Sequence, residues 1–137
     1  MTIAGIGVDV VNVRGFDEQL AVGGTTMRDQ FTPAERDLRQ PSRPEPEHLA
    51  VRWAAKEAFV KAWSVAHRGL PPRLPTVDLR EIEVVRDAWG RPAVRLHGEV
   101  ERAVTEAFDE CTVHLSLSHD TDVAVAMVVI ELTGATT

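Results

Sequence analysis

Asp9 is the first residue in this sequence that demands a chemical explanation. It lies inside Ile3-Ala-Gly-Ile-Gly-Val-Asp-Val-Val11, a run of small and branched residues that reads as a strand from Ile3 to Val13. Alternation puts Asp9 on one face with Gly5, Gly7 and Val11. A carboxylate there is costly unless it is paired or holds a metal ion; a hydrogen bond at the strand end is the plainer alternative. A second set of charges falls on the longest helical pattern, Glu47 to His67. At about 100° per residue, Leu49, Trp53, Phe59, Val60 and Trp63 form its apolar stripe. Glu57 lies on the flank of that stripe, one turn before Lys61, while Lys56 falls inside it and follows Arg52 by a turn. Glu57 and Lys61 alone would read as a surface i,i+4 pair worth about 0.2–0.5 kcal/mol. Taken with Asp9, they offer two carboxylates from separate elements with lysines nearby. That set suits Mg²⁺ and a polyphosphate, because Mg²⁺ takes one or two protein carboxylates and completes its shell with water and phosphate oxygens.

A polar strand face adds to this. In Val113-His114-Leu115-Ser116-Leu117-Ser118 the His and Ser side chains share one face and the apolar ones the other. Such a face is either solvated or offers imidazole and hydroxyl groups to an anion. Ser118-His119-Asp120 is not a hydrolase triad, since triads are assembled from separated positions. Gly5-Ile6-Gly7 is not a dinucleotide fingerprint, because Val10 stands where the third glycine belongs. There is no P-loop, no H-E-x-x-H, no cysteine pair for zinc and no heptad run.

The remaining elements must position these residues. A short helix is expected at Asp17–Val22 and a helix start at Thr32-Pro33-Ala34-Glu35, where Thr32 and Glu35 make a capping box. Pro41 to Pro46 reads as a connector. Strands are expected at Glu81–Arg86 and Ala93–Leu96 around a Trp89-Gly90-Arg91-Pro92 turn, a helix at Gly98–Phe108, and strands at Thr112–Ser118 and Val123–Glu131. This order predicts an α+β domain with an antiparallel sheet packed on a long central helix. With 137 residues and 15.1 kDa, the chain fits a single domain over residues 1–132 with a frayed tail at 133–137. Fifteen Lys and Arg against 21 Asp and Glu give a net charge of −6, which disfavours nonspecific nucleic-acid binding, although residues 36–43 and 52–61 are locally basic. Cys111 is the lone cysteine, no signal peptide is visible, and the longest apolar run, Val123 to Ile130, is far too short to span a bilayer. A cytoplasmic protein with no membrane partner is expected.

Taken in order, Gly5-Ile6-Gly7-Val8-Asp9, Phe31-Thr32-Pro33-Ala34-Glu35, Arg52-Trp53-Ala54-Ala55-Lys56-Glu57-Ala58-Phe59-Val60-Lys61-Ala62, Trp89-Gly90-Arg91-Pro92 and His114-Leu115-Ser116-Leu117-Ser118-His119 resemble the holo-[acyl-carrier-protein] synthases, the small type of 4′-phosphopantetheinyl transferase. The resemblance covers nearly the whole chain. It implies that family's fold, a homotrimer with active sites between subunits, coenzyme A as donor, Mg²⁺, and an apo acyl-carrier protein as acceptor. By the same resemblance Asp9 and Glu57 are the metal carboxylates and Lys61 contacts the pyrophosphate, these three being the catalytic set. Arg52, Lys56, Lys61, Gly90, Arg91, Pro92, His114, Ser118 and His119 would line the coenzyme A site, and Arg14 would dock the carrier, one position out of the commonest register. A coenzyme-A-binding subunit of the same fold that has lost turnover is the alternative.

Overall fold

The computed structural model describes residues 1–38 and 43–134. Its elements are β1 (Thr2–Asn12), α1 (Val13–Leu20), α2 (Glu45–Ala66), β2 (Ile82–Arg86), β3 (Pro92–Leu96), α3 (Gly98–Phe108), β4 (Cys111–Asp120) and β5 (Val123–Leu132), with single 3₁₀ turns at Met27–Gln30 and Leu79–Glu81. β1, β5 and β4 form an antiparallel sheet in that order, and β2 and β3 form a separate hairpin. The expected α+β architecture is present: α2 packs across one face of the sheet, chiefly on β1 and β5.

Close packing of β1 on α2 explains the two glycines of Gly5-Ile6-Gly7. A Cβ at Gly5 would collide with the Ala62 carbonyl oxygen; one at Gly7 would collide with the Ala58 carbonyl oxygen and lie 2.6 Å from the Ala62 nitrogen. These neighbours are helix backbone and cannot swing aside. Small residues on both elements thus bring the strand against the helix axis, and Asp9 arrives two residues later beside the following turn of α2. Gly7→Ala is expected to lose about 1–3 kcal/mol of stability, the usual cost of overpacking, read as a lower urea midpoint. An unchanged midpoint would contradict this packing.

α2 is buried around most of its circumference rather than along one stripe. Leu49, Phe59 and Trp63 of the expected stripe are buried, Trp53 and Val60 are half-buried, and Ala50, Ala54, Ala55, Ala58 and Ala62 are buried as well. The main core joins α2 to Val128 and Ile130 of β5, Ile82 and Val84 of β2, and Val100 and Val104 of α3. A second cluster packs Phe16 and Leu20 of α1 with Phe31 and Leu49, and Trp53 stands between the Phe16 and Phe31 rings at 5.9 and 6.0 Å.

Three helix starts differ from expectation. α1 begins at Val13 rather than Asp17, because Asn12 caps it by accepting from the Gly15 N–H at 2.8 Å. α2 begins at Glu45 and takes Pro46 into its first turn, where a missing N–H costs nothing; positions 41 and 42 of the expected connector lie outside the described residues. The Thr32–Glu35 capping box forms, with Thr32 N on Glu35 Oε1 at 2.9 Å and Glu35 N on Thr32 Oγ1 at 3.2 Å, yet only one turn follows and no helix. The Glu35 carboxylate is drawn into the core by Lys56 and by the Val84 N–H, which pins the turn against α2 and β2. Of the expected frayed tail, Thr133 donates its N–H to the Glu110 carbonyl at 3.2 Å, and residues 135–137 lie outside the described residues.

Candidate active site

β1 and α2 bring Asp9, Glu57 and Lys61 together. Asp9 faces α2 from the row Asp9–Ala126–Leu117. The Lys61 ammonium donates to Asp9 Oδ1 at 2.9 Å and to the Val8 carbonyl at 3.1 Å, so Lys61 gives its ion pair to the strand and not to its helical neighbour Glu57. The Asp9 side chain is only 15% exposed, that of Lys61 53%. Glu57 titrates above its ordinary 4.5, first because it is partly buried and then because Asp9 is close; Lys61 pulls the other way. Two hard-oxygen carboxylates share one ammonium here, leaving like charges that a divalent cation would relieve. Among the described residues no three His, Cys, Asp or Glu side chains converge, and this cluster supplies two carboxylates, Asp9 and Glu57. That donor set fits Mg²⁺, which binds through few carboxylates and otherwise through water and phosphate oxygens.

The raised Glu57 has a consequence for stability. A carboxyl whose pKa is higher folded than unfolded contributes stability that is fully present below about 4.5 and lost as pH rises through the folded value. In metal-free buffer at pH 7, Glu57→Gln is therefore expected to melt at a higher temperature than the parent while losing activity. A lower melting temperature at pH 7 would show that the Glu57 charge is well compensated.

A second feature, a pocket of about 370 Å³, lies between the N-terminal half of α2, the β2–β3 hairpin and the end of β4. Arg43, His48, Arg52, Arg86, Ser118 and His119 supply its polar groups, Gly90 and Pro92 form part of its wall, and no carboxylate lines it. Arg52 is 6% exposed. Its Nη1 donates to the His48 carbonyl at 3.0 Å, while its buried Nε has no acceptor. Burial, then the nearby Arg86 and Arg43, bring the Arg52 pKa down to about 10. His48 is held below its ordinary value, mainly by burial and also by the same arginines, and its Nε2 contacts the Glu35 carbonyl at 2.6 Å. Glu35 partly offsets this at Arg52, and Glu47 Oε1 lies 3.8 Å from His119 Nε2, but crowded guanidinium groups with an orphaned buried N–H and no carboxylate in the lining suit an anion.

The β2–β3 turn that walls this pocket is fastened by Asp87. Its Oδ1 accepts from the Trp89 and Arg91 N–H groups, both at 2.9 Å, and its Oδ2 accepts from Arg91 Nε at 2.6 Å. Gly90 takes φ +84°, a left-handed conformation that favours glycine. The Arg91 guanidinium lies over the Trp89 ring at 5.3 Å and does not line the pocket.

Lys56 is a correction. It was expected at the coenzyme A site, but its side chain is 0% exposed and its ammonium is fully used by Glu35 Oε1 (2.8 Å) and the Leu79 (2.6 Å) and Ile82 (2.8 Å) carbonyls. It braces α2 against the turn at Glu35 and the start of β2. His114 does not line the pocket; it lies further along β4 on the face it shares with Ser118, and its Nε2 is 2.9 Å from Glu131 Oε1. Arg14 is 75% exposed and faces Asp122 at 3.6 Å. His48, Arg86, Arg43 and Asp87 were not singled out from sequence. The four-residue spacing of His48, Arg52 and Lys56 was the available signal for His48; Arg86 and Asp87 gave none.

The two features lie on opposite flanks of α2. Arg52 and Lys61 are nine residues apart, about 900° of helix, which points them in opposite directions and separates them by about 13 Å along the axis. With that geometry in place, comparison with known proteins is decisive. A model of the 4′-phosphopantetheinyl transferase superfamily matches residues 5–128. The chain belongs to this superfamily. A holo-[acyl-carrier-protein] synthase from Mycobacterium sp. (strain KMS) is 47% identical over 132 residues, covering 96% of this chain and 98% of the relative. The protein of the same name from Mycobacterium tuberculosis (strain ATCC 25177 / H37Ra) is 46% identical over the same length, with the same coverage of each chain. Among solved structures, the Chronobacterium ammoniagenes ACPS-CoA complex superposes with a TM-score of 0.88 at 45% identity, covering 98% of this chain and 100% of that one. A Bacillus anthracis holo-(acyl-carrier-protein) synthase in complex with CoA (3′,5′-ADP) superposes at 0.69 with 30% identity, covering 97% and 100%. The fold of this chain is therefore the phosphopantetheinyl transferase fold.

Proposed function

We propose that this protein transfers the 4′-phosphopantetheine group of coenzyme A to a serine hydroxyl of an apo acyl-carrier protein, releasing adenosine 3′,5′-bisphosphate. The observation that carries this reading is the Asp9–Lys61 pair beside a half-buried Glu57, a carboxylate–ammonium cluster suited to a pyrophosphate. In the reaction the serine oxygen forms a bond to the phosphorus next to the pantetheine arm, and the pyrophosphate P–O bond on the nucleotide side breaks. Asp9 and Glu57 would hold Mg²⁺, which when bound neutralises charge on the pyrophosphate. Lys61 donates to phosphoryl oxygens, where charge grows in the transition state. Glu57 would also take up the serine proton, directly or through water. Arg52, Arg86 and His48, with His119 and Ser118, hold the anionic nucleotide end in the pocket. Arg14 at the start of α1 meets the carrier.

The working form is a homotrimer with each site shared between neighbours. Two observations support this. The face of the sheet turned away from α2 exposes Ile6 (52%), Val8 (53%), Val10 (63%) and Met127 (45%), an apolar surface that a second copy would cover. The arginine pocket and the Asp9–Glu57–Lys61 cluster also lie on opposite flanks of α2, an arrangement that suits a coenzyme A held between two chains. A cytoplasmic location suits the half-buried thiol of Cys111, and no helix among the described residues is long and apolar enough to cross a membrane.

The test is intact mass spectrometry of an apo acyl-carrier protein incubated with this protein, coenzyme A and Mg²⁺, with a parallel EDTA sample. The expected result is a gain of one phosphopantetheine that EDTA abolishes. No gain with several apo carriers despite coenzyme A binding would instead identify a silent binding subunit.

A further inference from the structure

We propose that Lys61 is the resident counter-ion of Asp9 and that a divalent cation takes its place, releasing the ammonium to the phosphates of coenzyme A. The inference rests on the reading of the site given above and adds to it a linkage between the two ligands. With its side chain only 15% exposed, Asp9 has little access to water. Its charge is met by Lys61 Nζ at 2.9 Å, which the Val8 carbonyl at 3.1 Å also holds on the strand side. One ammonium thus serves two carboxylates, and it sits on Asp9, leaving Glu57 partly buried and facing a like charge.

A divalent cation held by Asp9 and Glu57 would carry twice the charge of Lys61 and would compete with it for the Asp9 carboxylate, because two cations on one carboxylate repel each other. The displaced ammonium has room to move, because the Lys61 side chain is 53% exposed. Its stem is fixed on α2 one turn after Glu57, so it stays at the rim of the same site. There the nearest anion is the pyrophosphate that the cation also attracts. By linkage, whatever the cation does for pyrophosphate affinity, pyrophosphate does equally for the cation. Lys61 therefore weakens the binding of cation alone and strengthens the binding of cation with coenzyme A.

The experiment is titration of the ligand-free, full-length protein with Mn²⁺, the free ion being read by electron paramagnetic resonance; no transfer is required. Lys61→Met is expected to bind Mn²⁺ about fivefold more tightly than the parent, a change matching the loss of one partly exposed ion pair. Lys61→Arg, which restores a cation opposite Asp9, is expected to return the affinity towards the parent value. Adding coenzyme A should tighten Mn²⁺ in the parent by a larger factor than in Lys61→Met. If Lys61 only held Asp9 in place, its removal would weaken Mn²⁺ binding. Equal or weaker binding by Lys61→Met, or no measurable binding by either protein, overturns the proposal. Tighter Mn²⁺ binding in a protein that transfers nothing to apo carriers would leave the exchange standing and refute the transferase reading; transfer without tightening would do the reverse.

Discussion

Lys56→Met is expected to lower the unfolding free energy by about 3–5 kcal/mol, the usual effect of removing one partner from a buried ion pair. Both side chains of the Lys56–Glu35 pair are 0% exposed. Without the ammonium, the Glu35 carboxylate stays enclosed with only the Thr32 and Val84 N–H groups, and the Leu79 and Ile82 carbonyls lose their donor. Burial alone pushes the Lys56 pKa down, and Glu35 foremost holds it up. The double variant Glu35→Gln/Lys56→Met should therefore lose less than the sum of its single variants, because no charge is left unpaired. Urea unfolding of the four proteins measures this. Parent-like stability of Lys56→Met combined with weakened coenzyme A binding would return Lys56 to the ligand site.

Asp9→Ala is expected to cut transfer to the carrier by a factor on the order of 10³, as when a preorganised charge that stabilises a transition state is removed. The fold should persist, since Asp9 pairs with a half-exposed lysine that water can solvate instead. Circular dichroism and steady-state kinetics separate the two effects. Near-normal, Mg²⁺-dependent turnover in a folded Asp9→Ala protein would remove Asp9 from the site.

Most of the architecture was legible because local signals agreed with the fold. Alternation in β4 and the apolar run of β5 mark strands that pair side by side, and the Gly5-Ile6-Gly7 run made sense once Ala58 and Ala62 lay against it. Asp9 stood out because a carboxylate in an apolar strand is costly unless it is paired, and the structure pairs it with Lys61. Lys56 misled for the complementary reason: a charge inside an apolar stripe looks like a ligand contact, and its true partner, Glu35, is 21 residues away in sequence. The same partnership kept the Thr32–Glu35 capping box from starting a helix. Arg86 and Arg43 reach the pocket only through tertiary placement of the hairpin and the entry to α2, which no periodicity announces.

The central claim is that a working site joins the Asp9–Glu57–Lys61 cluster of one chain to the arginine pocket of another. Mixed assemblies of differently tagged Asp9→Ala and Arg52→Ala chains, purified through both tags and assayed for carrier modification by intact mass, test it directly. Each variant alone is expected to be nearly inactive. In a cyclic trimer that contains both kinds of chain one shared site in three combines two intact halves, so transfer should recover to about a third of the parent rate. Mixed assemblies no more active than the separate variants would contradict the account, because a site built within one chain carries a defect in every copy.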